Sequence, residues 1–447
     1  MSIKRVVSTV LIVSVMVLAV VVKSTHAVSL GQGIDSSSFA GGVIAPASHA
    51  SGAVSAGGGP LGYAFNISNL TVAETVVPSI AYNSNRDEYL VVWWNDRPGN
   101  DDIYGRRISG NGALIGNWFA VAAGAGHERA FPDVAYNSQS NEYLVVWVDD
   151  YSDICAQRVS AVGQLLGTEI DVGGMGDENW GPAVAYASTE NKYLVVWTER
   201  TGTVYAFAGK EVTSTGSPGT RFAIDSNCSN CNEAQADLAY NRPRNEFLVV
   251  WGKYVGGDYD VYGRRVKMTG GTGTLGSAFP IFGSVNDEWT PVVAALPGHS
   301  GQGQYFVVCQ TYIGIGDKWI QGQFVASDGS LQGSLIDISS SSGATGPAVA
   351  GSESTAQYLV VWRQEGYVSL PFISDGIMGR VISIDGNPVG EESGIGGFDP
   401  FNAAVASGSL GDFLVTFDAH PVVTPDPRQV YGRLWGNRVY LPLVLKN

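Results

Sequence analysis

Seven acidic and aromatic residues of this 447-residue chain have types and spacings suited to ligand binding. They fall in three short segments, each at the start of a predicted β-strand. The candidate ligand-binding residues are Glu128, Asp177, Glu178, Trp180, Asp287, Glu288 and Trp289. Carboxylate oxygens are ligands that Ca²⁺ prefers, and an indole ring offers a flat surface to a sugar ring. We therefore expect these residues to bind a glycan or a divalent cation, for which calcium is the candidate. The alternative interpretation is that they are solvated turn residues without a ligand.

Two further residues, Asp133 and Asp237, are the candidate catalytic pair. Each stands second in a predicted strand, and paired carboxyl groups are what glycoside hydrolysis uses as acid and as base or nucleophile. The same position in other repeats holds Ser79, Ala183 and Val292, so ordinary repeat variation is the competing interpretation. The sequence contains no HExxH and no GxSxG motif, which leaves metalloprotease and serine hydrolase activities without a basis.

A repeat of about 54 residues must position these side chains. A strand of the type Tyr-Leu-Val-Val-Trp recurs seven times and ends at Trp93, Trp147, Trp197, Trp251, Cys309, Trp362 and Phe417. A shorter strand of the type Pro-x-Val-Ala-Tyr precedes it, and two more strands follow. Four strands per unit, repeated seven times, predict an all-β protein, a seven-bladed β-propeller of four-stranded antiparallel blades. The first-strand loops of such a ring converge around its central channel, which would gather the three acidic segments on one face.

The ends of the repeat array predict how the ring closes. The seventh unit stops after its third strand, Gln429 to Leu434, whereas a spare strand, Gly59 to Ile67, precedes the first unit. An N-terminal strand that completes the last blade explains both features and leaves no open array with unpaired edges.

The motif YLVVW…DIYGRRV…G resembles the tandem repeats of secreted bacterial propellers, which are distantly similar to TolB-like and WD-type blades. This resemblance covers Gly59 to Leu434 and implies architecture alone. The C-terminal segment Val439 to Leu445 is similar to the YLPLV tails of exported proteins from Chloroflexus-like bacteria.

The flanking segments predict an exported protein. Residues 1–27 match a signal peptide, with a basic start, an apolar run and a small residue, Ala27, at the expected cleavage site; an uncleaved membrane anchor is the alternative. Residues 28–58 are rich in Ser, Gly and Ala and predict a flexible leader. The propeller spans residues 59–436, and residues 437–447 form an apolar tail. We expect the mature protein to be secreted or held at the cell surface.

The net charge of the chain limits the classes of partner that we expect it to bind. The formal net charge is −15, and it becomes −18 once the three basic residues of segment 1–27 are removed. Such an acidic protein is a poor partner for nucleic acids and anionic membranes, so we expect an extracellular glycan or protein as partner.

Four cysteines divide into two kinds. Cys228 and Cys231 are close together in a protein predicted to be exported, which favours a disulfide bond between them. Cys155 and Cys309 replace aromatic residues of the repeat and are predicted to fill the core.

Three function classes remain open from the sequence. The leading hypothesis is a non-catalytic binding or interaction module; the alternatives are a glycan-cleaving enzyme and a structural cell-surface protein. The ligand, the oligomeric state, the role of the tail and the presence of any catalysis do not follow from the sequence.

Overall fold

The computed structural model describes residues 58–70, 73–97, 99–174, 177–228, 235–269, 272–298, 301–314, 316–366, 368–369, 372–373, 375–396, 399–421 and 427–436. These residues form seven four-stranded antiparallel sheets, each of which is one blade of a β-propeller. The predicted all-β fold and blade number are confirmed. No α-helix long and apolar enough to cross a lipid bilayer occurs in this part of the chain.

The strands follow one another in chain order. The N-terminal strand is β1 (Gly59–Asn66). Blade 1 contains β2 (Glu74–Asn83), β3 (Glu88–Asp96), β4 (Asp102–Ser109) and β5 (Leu114–Ala122). Blade 2 contains β6 (Arg129–Asn137), β7 (Glu142–Asp149), β8 (Asp153–Ser160) and β9 (Leu165–Asp171). Blade 3 contains β10 (Glu178–Ala187), β11 (Lys192–Thr201), β12 (Val204–Thr213) and β13 (Phe222–Cys228).

The remaining blades repeat this order with two additions. Blade 4 contains β14 (Ala236–Asn241), β15 (Glu246–Val255), β16 (Asp258–Thr269) and β17 (Thr272–Phe282), with a short 3-10 helix (Arg242–Arg244) after β14. Blade 5 contains β18 (Asp287–Leu296), β19 (Gln304–Ile313), β20 (Asp317–Ala326) and β21 (Leu331–Asp337). Blade 6 contains β22 (Ala344–Ser352), β23 (Gln357–Gln364), β26 (Gly376–Ser383) and β27 (Pro388–Gly396), interrupted by the hairpin of β24 (Val368–Ser369) and β25 (Phe372–Ile373). Blade 7 contains β28 (Ala403–Ser407), β29 (Phe413–Ala419) and β30 (Gln429–Gly436).

The second strand of each blade forms the core. In β3 the run Tyr89 to Trp93 is at most 1% exposed, and the equivalent run Tyr143 to Trp147 of β7 is fully buried. Both faces of these strands are covered because every blade packs between two neighbouring blades. A continuous run of β-branched and aromatic residues is the sequence pattern that such two-sided burial requires.

The first strands of neighbouring blades contact each other all the way around the ring. The contacts join β2 to β6, β6 to β10, β10 to β14, β14 to β18, β18 to β22, β22 to β28, and finally β28 to β2. The last of these contacts closes the circle, so the first strands surround the central channel.

Strand β1 completes blade 7, as predicted. It pairs antiparallel with β30 and forms the outer edge in the order β1-β30-β29-β28. Beyond β1, the backbone N–H of Ile67 donates to the carbonyl of Val430 at 2.7 Å. The two ends of the described propeller are thus joined by a backbone ladder.

A recurring arginine shows that β1 is equivalent to the fourth strands of the other blades. Arg380 of blade 6 donates to the carbonyl of Ile338, just after the fourth strand of blade 5, at 2.8 Å. In the same way Arg106 of blade 1 donates to the carbonyl of Ile67, just after β1, at 2.8 Å. The arginine that follows the third-strand glycine, Arg106 in blade 1 and Arg380 in blade 6, therefore ties its blade to the outer edge of the preceding one.

The cysteine predictions have different outcomes. Cys155 and Cys309 are free and buried, which confirms their role as core residues. Cys228 is fully buried at the end of β13, but Cys231 lies outside the described residues. The Cys228–Cys231 disulfide stays a prediction, as do the signal peptide, the leader and the C-terminal tail, which all lie almost wholly outside the described residues.

Candidate functional site

The seven predicted ligand-binding residues lie on one face of the ring. Each one directly precedes, or is among the first three residues of, the first strand of its blade: β6 in blade 2, β10 in blade 3 and β18 in blade 5. The first strands all begin on the same face of the ring, so these residues share one side of the molecule.

The three glutamates of this face are nevertheless held separately. The backbone N–H of Glu128 donates to the Asp150 carboxylate at 2.9 Å, and Glu178 pairs with Arg200, whose Nε lies 3.2 Å from its Oε2. Glu288 accepts a hydrogen bond from Ser284 Oγ at 2.6 Å. No hydrogen bond or ion pair joins the three glutamates within the described chain. The contacts of each glutamate are therefore local to the blade or loop that carries it.

In blade 3, Asp177 and Trp180 stabilise the rim of the blade. Asp177 Oδ2 accepts the backbone N–H of Gly202 at 2.7 Å. The half-buried ring of Trp180 stacks on Tyr205, with 5.9 Å between the ring centroids, and the Arg200 guanidinium lies 5.9 Å from the Trp180 ring. These contacts use much of the Trp180 surface within its own blade.

A larger aromatic surface lies between blades 4 and 5. Trp289 packs on Tyr259, with 4.0 Å between the ring centroids, and Tyr259 contacts Tyr254 at 5.1 Å. On its other side Trp289 meets Tyr312 edge to face at 6.5 Å. All four rings are at least partly exposed, and Tyr254 is 37% exposed. We call these four residues the aromatic row.

The three tyrosines of the aromatic row were not among the predicted site residues. Tyr254 and Tyr259 face each other across the β15–β16 hairpin, and Tyr312 pairs in register with Asp287 at the end of β19. A signal for the first pair exists in the sequence, since two tyrosines flank a Gly-Gly turn. Their approach to Trp289 depends on how blade 4 packs against blade 5.

Carboxylates surround the aromatic row. Asp287 Oδ1 accepts the backbone N–H of Tyr259 at 2.9 Å, which ties blade 5 to blade 4. Glu288 is 2% exposed, and burial, together with the charges of Asp260 and Asp258, raises its pKa to about 7. At this rim the partly exposed aromatic rings lie beside Asp287 and the buried Glu288.

A group of side chains with the geometry of metal ligands lies at blade 2, formed by His127, Asp149 and Asp150. The Nδ1 atom of His127 is 3.1 Å from Asp149 Oδ1 and 3.7 Å from Asp150 Oδ2. The Asp149 carboxylate is also approached by the guanidinium of Arg129, whose Nε lies 3.7 Å from Oδ2. Because an arginine already balances part of this negative charge, the geometry fits a local ion-pair network.

Asp133 and Asp237 join inner strands across the blade boundaries. Asp133 Oδ2 accepts the backbone N–H of Val184 in blade 3 at 2.8 Å, and its Oδ1 accepts the Ser79 hydroxyl of blade 1 at 2.6 Å. Asp237 Oδ2 accepts the backbone N–H of Val293 in blade 5 at 2.7 Å. A first strand is paired on one side only, so each carboxylate supplies the acceptor that a ladder partner would otherwise provide.

Burial raises the pKa of both Asp133 and Asp237. The pKa of Asp237 rises to about 7, with a further contribution from the charge of Asp133, and that of Asp133 is also raised. Raised pKa values suit general acids, but the hydrogen bonds to strand N–H groups give both residues a structural role first. Their use as a catalytic pair stays a hypothesis.

A cavity of about 460 Å³ lies on the opposite face, between the outer part of blade 5 and the β26–β27 turn of blade 6. Its walls include Gln304, Phe324, Ile336 and Gly386. None of the predicted site residues lines it, so we place the candidate site at the aromatic row.

No protein-family model and no curated protein sequence matches this chain. Among solved structures, it is similar to a prolyl endopeptidase at 13% identity, with a TM-score of 0.42, over 76% of this chain and 45% of that protein. The chain thus spans less than half of the endopeptidase.

Two other solved structures are similar over most of their own length. The neuraminidase-like protein of subtype N11 from A/flat-faced bat/Peru/033/2010 (H18N11) has 8% identity and a TM-score of 0.44, over 82% of this chain and 88% of that one. The six-bladed fungal lectin from Aleuria aurantia, which recognises fucose, has 10% identity and a TM-score of 0.43, over 73% and 98%. None of these similarities bears on the ligand or activity of this chain.

Proposed function

We propose that this protein is an exported, non-catalytic binding protein that holds a carbohydrate on the aromatic row between blades 4 and 5. The observation that carries the proposal is the continuous run of four partly exposed rings, Tyr254, Tyr259, Trp289 and Tyr312. Aromatic rings pack against the apolar C–H face of a sugar and lose little side-chain entropy when they do so.

Acidic groups beside the rings supply the polar half of such a site. Asp258 opens β16 next to Tyr259, and Asp287 opens β18 next to Glu288 and Trp289. Carboxylates accept hydrogen bonds from sugar hydroxyl groups, and a formal net charge of −15 repels anionic polymers. The ligand class is therefore a neutral glycan.

Export supports the same function. The N-terminal segment 1–27 has the sequence of a signal peptide with cleavage after Ala27, which would deliver the protein to a compartment where glycans are exposed. Retention at the cell surface and full secretion are both compatible with this proposal.

A glycan array probed with the purified protein, residues 28–447, tests the proposal. We expect binding to neutral glycans, and we expect Tyr254→Ala to weaken it at least tenfold because this exposed ring packs on few other groups. Trp180→Ala is the matched control, since Trp180 holds the same register position in blade 3 as Trp289 in blade 5. It should bind like the wild type.

Two results would contradict the proposal. One is the absence of binding to any neutral glycan, which would favour the structural cell-surface alternative. The other is binding that Tyr254→Ala leaves intact while Trp180→Ala abolishes it, which would move the site to blade 3.

A further inference from the structure

The two outer rings of the aromatic row occupy equivalent positions in neighbouring blades. Tyr254 and Tyr312 each stand three residues after the end of the YLVVW-type strand of their blade. The other five blades carry an ionisable residue at this position, namely Asp96, Asp150, Arg200, Glu365 and His420. Blades 4 and 5 alone place a ring there, and Tyr259 and Trp289 connect these two rings through successive ring contacts.

Both ends of the aromatic row are open. Tyr254 and Tyr312 each belong to the second-last residue pair before the tip of a hairpin, β15–β16 in blade 4 and β19–β20 in blade 5. Toward the tips, Gly256 and Ile313 are exposed. The described part of either tip contains no buried residue, so a bound molecule can continue past the row in both directions.

Neighbouring rings of the row are tilted against each other rather than coplanar. The interplanar angles are 64° between Tyr254 and Tyr259, 34° between Tyr259 and Trp289, and 70° between Trp289 and Tyr312. Because a sugar stacks face to face on an aromatic ring, the flat surface of a crystalline polysaccharide would require coplanar rings. A single chain can turn about its glycosidic bonds from one sugar to the next, so it can follow tilted rings.

Polar groups lie beside the rings at both ends of the row. The hydroxyl groups of Tyr254 and Tyr312 form no hydrogen bond within the described part of the chain. The same holds for the carboxylate of Asp258, which is next to Tyr259 at the tip of the β15–β16 hairpin. A phenol hydroxyl donates and accepts hydrogen bonds, and a carboxylate accepts them. These groups can therefore bond to the hydroxyl groups of successive sugars.

We propose that the aromatic row binds several consecutive sugars in the interior of a single, soluble chain of a neutral polysaccharide. This inference rests on the proposed function and adds the class of glycan, which is a stretch of polymer rather than a terminal sugar or a crystalline surface. Four rings in contact offer more stacking surface than one sugar covers, and the open ends let the chain continue on both sides.

Binding measured at constant polysaccharide mass tests where along the chain the protein binds. The probes are dextran, galactomannan, xyloglucan and laminarin, each intact and after partial acid hydrolysis, titrated calorimetrically into the purified protein, residues 28–447. Hydrolysis multiplies chain ends but leaves most interior positions. For each probe that binds, we expect the affinity per gram to stay within about twofold until the fragments are shorter than about four sugars, one per ring. It should then fall at least tenfold.

The same titrations separate failure of this inference from failure of the proposed function. An affinity per gram that rises with the number of chain ends would show that a terminal sugar is bound, which overturns the inference and leaves the proposed function standing. Sedimentation of the protein with crystalline cellulose or chitin, without binding to any soluble probe, would also overturn the inference alone. Absence of binding to every soluble and crystalline probe and to the glycan array would overturn both.

Tyr312→Ala tests whether the rings bind successive sugars. It removes the ring at the blade 5 end, so the affinity for trisaccharides should stay within about twofold of the wild type, while that for longer fragments should fall to the trisaccharide value. Tyr63→Ala is the matched control, because it makes the same substitution at a tyrosine that is 73% exposed on β1, and it should bind like the wild type at every length. An equal loss of affinity at every fragment length in Tyr312→Ala would show a site for one sugar and overturn the inference.

Discussion

Five blades place a residue with left-handed backbone dihedrals directly before the proline of the first strand. The φ angles are 51° at Val77, 53° at Phe131, 49° at Gly181, 48° at Thr290 and 57° at Gly346. The strand register shifts at each of these residues, so each lies in a β-bulge. Glycine adopts this conformation at little cost, whereas a β-branched residue is strained in it.

Thr290→Gly should therefore stabilise the protein. The substitution removes the strain of a β-branched residue at positive φ, and the exposed Thr290 side chain contributes little packing. We expect the free energy of unfolding to rise by about 1 kcal/mol after allowing for the greater flexibility of glycine in the unfolded chain. Urea denaturation measures the change.

Val77→Gly is the control for this prediction. It relieves the same backbone strain but deletes a side chain that packs against the core of blades 1 and 2. It should be less stable than Thr290→Gly relative to the wild type. A loss of stability in Thr290→Gly would show that the bulge imposes no strain.

At the scale of elements, the closure of the ring depends on a short segment after β1. Ile67 is fully buried, and its carbonyl accepts the hydrogen bond of Arg106. Next to it, Ser68 Oγ accepts the backbone N–H of Val430 at 3.0 Å and donates to Gln429 Oε1 at 3.1 Å. The two hydrogen bonds of Ser68 join residues that are more than 350 positions apart in sequence, so they hold the two ends of the array together.

Deletion of residues 28–57 should leave the Tm nearly unchanged, because it removes none of these contacts. Extension of the deletion through Ile67 should lower the Tm by more than about 5 °C, since it removes β1, exposes the edge of β30 and leaves Arg106 without its acceptor. Differential scanning calorimetry of the two truncated proteins measures the effect. Equal Tm values would mean that β1 is dispensable for closure.

At the scale of the whole molecule, the axis of the propeller carries acidic groups whose protonation is linked to folding. Burial raises the pKa of Asp237 to about 7, with the charge of Asp133 as a further cause. The folded protein thus keeps a proton on Asp237 at pH values where the unfolded chain has released it. The contribution of Asp237 to the free energy of unfolding is present in full below the pKa of this group in the unfolded chain, which is near 4. It is lost as the pH rises to about 7, the pKa in the folded protein.

Asp237→Asn should flatten this pH dependence. Between about pH 4 and pH 7, the wild type should lose free energy of unfolding at up to roughly 1.4 kcal/mol per pH unit from this group, and the variant should lose less. Urea denaturation across this range, with a chelator present, measures both slopes. Asp328→Asn, a fully exposed control whose carboxyl has a lowered pKa, should keep the wild-type slope. An unchanged slope in Asp237→Asn would contradict the assignment.

Much of the fold was determined by the sequence alone. The blade number and strand order were predicted from the seven YLVVW-type strands and the proline-led first strands. Closure by β1 was predicted from the spare strand at the start of the array and the missing fourth strand at its end. The buried Cys155 and Cys309 were predicted in the same way. Repeat spacing and strand alternation are local properties, and a closed ring is the arrangement that buries both faces of each blade and pairs its end strands.

The grouping of side chains was decided by the tertiary structure. The sequence placed Glu128, Glu178 and Glu288 on one face, but the ring keeps them in separate blades. It also did not reveal that Tyr259 would meet Trp289. Contacts between blades depend on strand register, bulges and the packing of one sheet against the next, and residues far apart in sequence set these features together.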